Sequence, residues 1–222
     1  MVIACWSVKG GVGTTTVAAA IALGWARSPG PAALLVDLAG DLPACLGVAE
    51  PTGPGAAEWL AAGTEVPPDS LARLFVPVTT GLEVLARGTG PLAAARGTVL
   101  LQLLAASGRR VVVDCGNIAE GGVGWRFAAE ADRSLLVARP CVLGLRRAMA
   151  APLRPSGIVL VRDPGRAFST ADVAGAVGAP VVAELAVDPV VARAVDAGLT
   201  RARLPRSFGD ALAGLAGAEV RA

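Results

Sequence analysis

The sequence predicts an α/β fold, a doubly wound and mostly parallel sheet flanked by helices. Three observations predict it. Short apolar runs alternate with alanine-rich helical stretches along the chain. Most of those runs are almost continuously apolar, as strands covered on both faces must be. A glycine-rich loop stands between the first strand and the first helix.

In chain order, Val2–Val8 reads as the first strand rather than as a signal peptide, because the loop motif already begins at Lys9. Thr15–Arg27 is the first helix, and Ala33–Asp37 is a strand that ends on an acid. Glu50–Pro68 carries Pro51, Gly53, Pro54, Gly55, Gly63, Pro67 and Pro68, and reads as a loop around a short helix near Trp59. Leu82–Ala86 is a strand and Pro91–Ala106 a helix. Arg110–Cys115 and Ser134–Arg139 are strands, followed by helix Leu143–Ala151. Strand Gly157–Val161, helix Thr170–Val177, strand Pro180–Leu185 and helix Pro189–Ala197 complete the alternation. Phe208, Leu212 and Leu215 stand at i, i+4 and i+7, so Phe208–Ala218 is an amphipathic last helix. No repeat or linker interrupts residues 1–222, which are expected to form one domain. Right-handed crossovers place the strand C-termini, and a ligand crevice, on one edge.

Composition narrows the function. Hydrophobic residues are 54% and charged residues 17% of the 222, which excludes disorder. Aromatics are 4%, so the core is built from small aliphatics. A net charge of +2 is too small to mark a nucleic-acid binder. No segment reaches the roughly 18 apolar residues needed to span a bilayer, and a cytoplasmic location is expected. Cys5, Cys45, Cys115 and Cys141 form no C-x-x-C pair and read as buried free thiols. With no histidine, chemistry must rest on carboxylates, hydroxyls and the loop.

The loop is Lys9-Gly10-Gly11-Val12-Gly13-Thr14-Thr15-Thr16, and Lys9 is the sole lysine of the chain. A P-loop reads G-x-x-x-x-G-K-[ST], its lysine reaching the β/γ-phosphates and its hydroxyl holding Mg²⁺. The glycines let backbone N–H groups close on phosphate oxygens, and the helix N-terminus adds partial positive charge. Thr14 stands where the lysine belongs. Two acids complete the pattern. Asp37 and Asp114 each end an apolar strand, at the edge where a carboxylate can hold Mg²⁺ or its waters.

These residues resemble the deviant Walker A loop of the partitioning and septum-positioning ATPases, the ParA/MinD family. Val36-Asp37-Leu38 with Gly40-Asp41-Leu42-Pro43 and Leu46-Gly47 is similar to that family's second motif. Val111-Val112-Val113-Asp114 fits its Walker B strand. Arg162-Asp163-Pro164-Gly165-Arg166, Asp188-Pro189, Ala194, Ala197 and Gly198 resemble its MinD side. The arginine- and alanine-rich style is most like the actinobacterial septum-site proteins and the TadZ/CpaE branch.

The resemblance implies a P-loop NTPase fold of the SIMIBI type and an ATP-dependent sandwich homodimer. ATP or ADP and Mg²⁺ are the implied cofactors. Lys9 would reach across to the partner's nucleotide, Thr15 would ligate Mg²⁺, Asp114 would support it and Asp37 would lie near it. A pilus, secretion or division machine would be the protein partner, met in the cytoplasm, at the inner face of the membrane or at the cell pole.

The sequence departs from the family at two positions. Thr14 carries no charge, and losing a charge-assisted phosphate contact costs on the order of 2–3 kcal/mol. Ala39 replaces the acid that positions the attacking water, and Asp41 is the nearest substitute. The expectation is at most a weak ATPase acting as a positioning scaffold. An active ATP-driven switch and a nucleotide-free interaction module are the alternatives. An iron–sulfur relative is disfavoured by the spacing of Cys115 and Cys141. Arg193, Arg201, Arg203 and Arg206 offer weak support for DNA or anionic membrane. The last helix, with Asp210 and Glu219, is a poor membrane inserter expected to dock on its own domain.

Overall fold

Every strand of the central sheet alternates its side chains between two apolar layers, and this sets the architecture. Ile3 and Cys5 face one layer, while Val2, Ala4 and Trp6 face the other. The computed structural model describes residues 1–63 and 67–216.

The elements are β1 (Val2–Ser7), α1 (Thr14–Ala26), β2 (Ala33–Asp37), α2 (Leu42–Leu46), α3 (Ala56–Ala61), β3 (Phe75–Thr79), β4 (Leu82–Leu85) and α4 (Gly97–Ala106). They continue with β5 (Arg110–Asn117), α5 (Val123–Glu130), β6 (Arg133–Ala138), α6 (Val142–Ala150), β7 (Gly157–Arg162), α7 (Thr170–Val177), β8 (Val181–Ala186), α8 (Pro189–Asp196), α9 (Thr200–Arg203) and α10 (Arg206–Ala213). The 8-stranded sheet runs β3-β4-β2-β5-β1-β6-β7-β8. All pairs are parallel except β3 with β4. The predicted doubly wound α/β fold is therefore present.

One layer is built on α1, whose Ala18, Ala19, Ala20 and Ala22 are all fully buried. Small side chains let α1 lie close to both the sheet and α10. Gly24 faces Gly209 of α10, where a Cβ on Gly24 would stand in ordinary contact, 3.9 Å from the Gly209 carbonyl oxygen. Leu212 and Leu215 are buried in this layer, so the last helix docks on its own fold as expected. The predicted end of that helix, residues 217–218, and Glu219 lie outside the described residues, as do residues 64–66 of the Glu50–Pro68 loop. The opposite layer gathers side chains from α3 to α7, with Phe127, Leu100 and Leu104 fully buried.

Three local readings are corrected. Phe75–Thr79 is an unforeseen strand, because Pro77 masks it; a proline is tolerated there since β3 is an edge and pairs only with β4. Helix Val123–Glu130 is also additional. The helix expected over Pro91–Ala106 begins only at Gly97, after a 3₁₀ turn at Ala94–Arg96. There Arg96 donates to the Trp59 and Ala62 carbonyls and lies 3.9 Å from the Trp59 ring centroid, which turns the chain instead of continuing the helix.

The arginine cluster is also changed. Arg201 donates to the Val78 carbonyl at 3.0 Å, tying α9 to the edge strand. One of its donors is committed there, while Arg201, Arg203 and Arg206 are all exposed. All four cysteines are free thiols. Among the described residues no helix is long and apolar enough to cross a membrane.

Candidate nucleotide site

The turn from β1 into α1 needs two residues with left-handed backbone, and the sequence supplies glycine at both. Gly11 has φ 73° and Gly13 has φ 100°. Gly13 is also the N-cap of α1, and nothing lies within 4 Å of where a Cβ would stand at Gly10, Gly11 or Gly13. The loop is therefore open on its outer side, with the helix N-terminus beneath it.

A polar cavity of about 480 Å³ opens over the loop. Gly10, Gly11, Gly13, Thr14 and Thr15 form one wall. Leu38, Ala39, Asp41 and Arg87 form the opposite wall, and Ser7, Cys115, Gly116 and Asn117 the floor. Thr16 and Val12 turn to the other side of the loop. There they line a mainly apolar cavity of about 140 Å³ with Val161, Val187, Val191 and Phe208, rimmed by Arg139 and Asp188. Gly13 borders both spaces.

Asp37, the last residue of β2, is the register partner of Asp114 within β5. Both are fully buried. Asp37 accepts from the backbone N–H groups of Ala39 (3.0 Å), Gly40 (2.6 Å) and Leu42 (3.2 Å), so its carboxylate holds the loop after β2. Burial pushes its pKa up, and those three bonds pull against the rise. Asp114 Oδ1 accepts from Gly116 N–H at 3.0 Å, whereas Oδ2 is buried without a hydrogen-bond partner. Burial drives its carboxyl up to about 7, opposed by the nearby Thr15 hydroxyl and reinforced by the Asp37 charge. An orphaned carboxylate oxygen beside a threonine hydroxyl fits a divalent cation, which would supply the missing partner.

Thr14 is buried at the first position of α1, and Thr15 is half-buried beside it. Ala39 packs over the floor, where a Cβ on Gly116 would meet the Ala39 Cβ at 3.0 Å. Asp41 is exposed and lines the cavity. Lys9 is half-buried next to the loop, lies outside the cavity lining, and makes no hydrogen bond or ion pair among the described residues. The structure thus brings the loop and Asp41 together around one cavity, with Asp37 and Asp114 buried behind its lining, Asp114 next to Thr15, and Lys9 to one side. Arg87, Ser7 and Asn117 were not foreseen. The rule that singled out Asp37 and Asp114, a polar residue at the close of an apolar strand run, also reaches Arg87 after β4.

The glycine loop between β1 and α1, with Asp37 ending β2 and Asp114 within β5, sits on a P-loop-type α/β fold. The same fold occurs in ParA- and MinD-type ATPases. A ParA family ATPase from Chlorobium tepidum superposes with a TM-score of 0.74 at 19% identity, covering 97% of this chain and 96% of that one. MinD from Pyrococcus horikoshii, solved with Mg-ADP, gives 0.76 at 20% identity, over 97% and 95%. MinD in the MinC:MinD complex of Aquifex aeolicus gives 0.72 at 19% identity, over 100% and 97%. The sequence matches no protein-family profile and no curated protein.

Proposed function

We propose that this chain is a nucleotide-dependent positioning protein of the ParA/MinD kind, a scaffold that binds ATP or ADP with Mg²⁺, dimerises and recruits a partner machine. One observation carries the reading: the buried Asp114 oxygen without a hydrogen-bond partner, beside Thr15 of the open glycine loop. The backbone N–H groups of Gly10 to Thr16 would hold the phosphates, and the apolar cavity on the far side of Gly13 is suited to a base. Thr15 and Asp114 would hold Mg²⁺, which neutralises phosphate charge when bound. Asp37 would act near the metal by fixing the loop that carries Ala39 and Asp41.

With Thr14 for lysine and Ala39 for the water-positioning acid, turnover is slow or absent. Lys9, unpaired at the loop mouth, would reach a second copy. The MinD structures solved with Mg-ADP and with MinC make nucleotide and a protein partner reasonable expectations here. A Tad/Flp pilus or septum-site apparatus is the machine favoured by the TadZ/CpaE-like style, with the chain in the cytoplasm or peripheral at the membrane or pole. Asp41 on the cavity wall sustains the second reading, an active switch.

Calorimetry with ATP and ADP, with and without Mg²⁺, tests this, with light scattering to read dimers and Thr14→Lys for comparison. Binding by the parent, with dimers and little turnover, supports the scaffold. Partner-stimulated hydrolysis supports the switch. No binding until lysine is restored overturns the reading in favour of a nucleotide-free module.

A further inference from the structure

We propose that Arg87 is the phosphate-directed cation of this site, standing in from the opposite wall for the lysine that Thr14 replaces, and that Glu58 positions it. The proposal rests on the nucleotide-binding reading above. Among the described residues Arg87 is the one Lys or Arg lining the cavity over the loop. It forms no ion pair there, and its guanidinium makes only a 3.4 Å contact to the adjacent Gly88 carbonyl. An unpaired guanidinium facing a glycine cradle is the chemistry that takes a terminal phosphate.

The surrounding backbone is built to hold it. The Arg87 stem crosses Gly40, where a Cβ would stand 3.1 Å from Arg87 Cδ. Ala56 and Ala57 N–H donate to the Ala86 and Arg87 carbonyls at 2.9 and 2.8 Å. Glu58 Oε1 accepts from Thr89 N–H (2.9 Å), Thr89 Oγ1 (3.1 Å) and Gly90 N–H (2.9 Å), while Oε2 accepts from Gly55 N–H at 2.8 Å. One carboxylate thus clamps the start of α3 to the turn that carries Arg87. The clamp depends on two glycines. A Cβ on Gly55 would press on Ala86 O and Gly88 N at 2.5 Å, and one on Gly88, at φ 78°, would collide with the Glu58 carboxylate.

Direction follows from the two cavities. With the base in the apolar space beyond Gly13 and the phosphates running along the loop, Arg87 on the far wall meets the last phosphate. It therefore serves to tell a triphosphate from a diphosphate.

The test is calorimetric affinity for Mg-ATP and Mg-ADP in the parent, Arg87→Gln, Arg87→Lys and Glu58→Gln, with thermal unfolding to confirm folding. Arg87→Gln is expected to weaken ATP by about 10- to 100-fold and ADP far less. Arg87→Lys should keep most of the ATP preference, and Glu58→Gln should lose part of it at unchanged Arg87. If Arg87→Gln leaves the ATP-to-ADP ratio of a binding parent unchanged, the proposal is wrong and the nucleotide reading stands. If the parent binds neither nucleotide, both are wrong.

Discussion

Asp37 and Asp114 share one rung of the β2–β5 ladder, yet the first has both oxygens satisfied by backbone N–H groups and the second leaves Oδ2 with none. Asp114→Asn removes a buried charge whose Oδ2 has no hydrogen-bond partner. It should stabilise the nucleotide-free protein by about 1–3 kcal/mol at pH 7. The same change should abolish the strengthening of nucleotide binding by Mg²⁺. Urea unfolding and calorimetry with and without Mg²⁺ read the two effects, and a destabilised variant that still responds to Mg²⁺ would contradict the assignment.

The raised Asp114 carboxyl also fixes a pH dependence. It titrates at about 7 when folded and near its ordinary value of 3.8 when unfolded. Between those values the folded chain keeps a proton that the unfolded chain has released. The stabilisation is complete below the lower value and is lost as pH rises through the upper one. Buried Asp37 shifts in the same direction. The urea midpoint of the parent should fall from about pH 5 to pH 7 more steeply than that of Asp114→Asn. Parallel curves would show that Asp114 does not titrate in this range.

Glu58 works in the opposite sense. Its backbone hydrogen bonds, Gly55 first, hold its pKa down at about 2 against an ordinary 4.5. Its contribution is present above 4.5 and disappears as pH falls toward 2. Because the carboxylate is solvent-accessible, the effect is small: Glu58→Gln should lower the Tm by about 2–4 °C at pH 7 and by nothing near pH 2. Scanning calorimetry at the two pH values is the check.

Gly13 is held at φ 100° as the N-cap of α1. Gly13→Ala places a Cβ in a backbone region that L-residues avoid and should cost about 1–2 kcal/mol of stability. The added methyl also stands at the border of both cavities, so nucleotide affinity should fall further than stability does. Chemical denaturation beside calorimetry separates the two losses.

Leu212 is fully buried between α10 and α1. Leu212→Ala should cost about 2–5 kcal/mol, a penalty no free membrane-anchoring helix would show. The parent should correspondingly fail to sediment with anionic vesicles through this helix. Binding to vesicles that Leu212→Ala abolishes without loss of stability would reverse the argument.

The buried strands were legible because a two-sided sheet writes itself as unbroken apolar runs. The edge was not, since Phe75–Thr79 carries Pro77 and half-exposed side chains, so its pattern resembles a loop. The glycine cradle was legible because left-handed backbone demands glycine. Arg87 was not, because its placement depends on Gly55 and Glu58, which stand far from it in the sequence and which only folding joins to the turn at Gly88. Lys9 announces itself by its solitude in the sequence, and the structure leaves its side chain without a partner among the described residues.

Arg201 bonded to the Val78 carbonyl has one further consequence. Together with Pro77, which lacks an N–H, it blunts the β3 margin against ladder extension. That margin therefore does not invite another chain to add a strand. In the proposed dimer, copies would therefore meet away from this margin, through side chains and loops, where assembly would answer to what occupies the crevice.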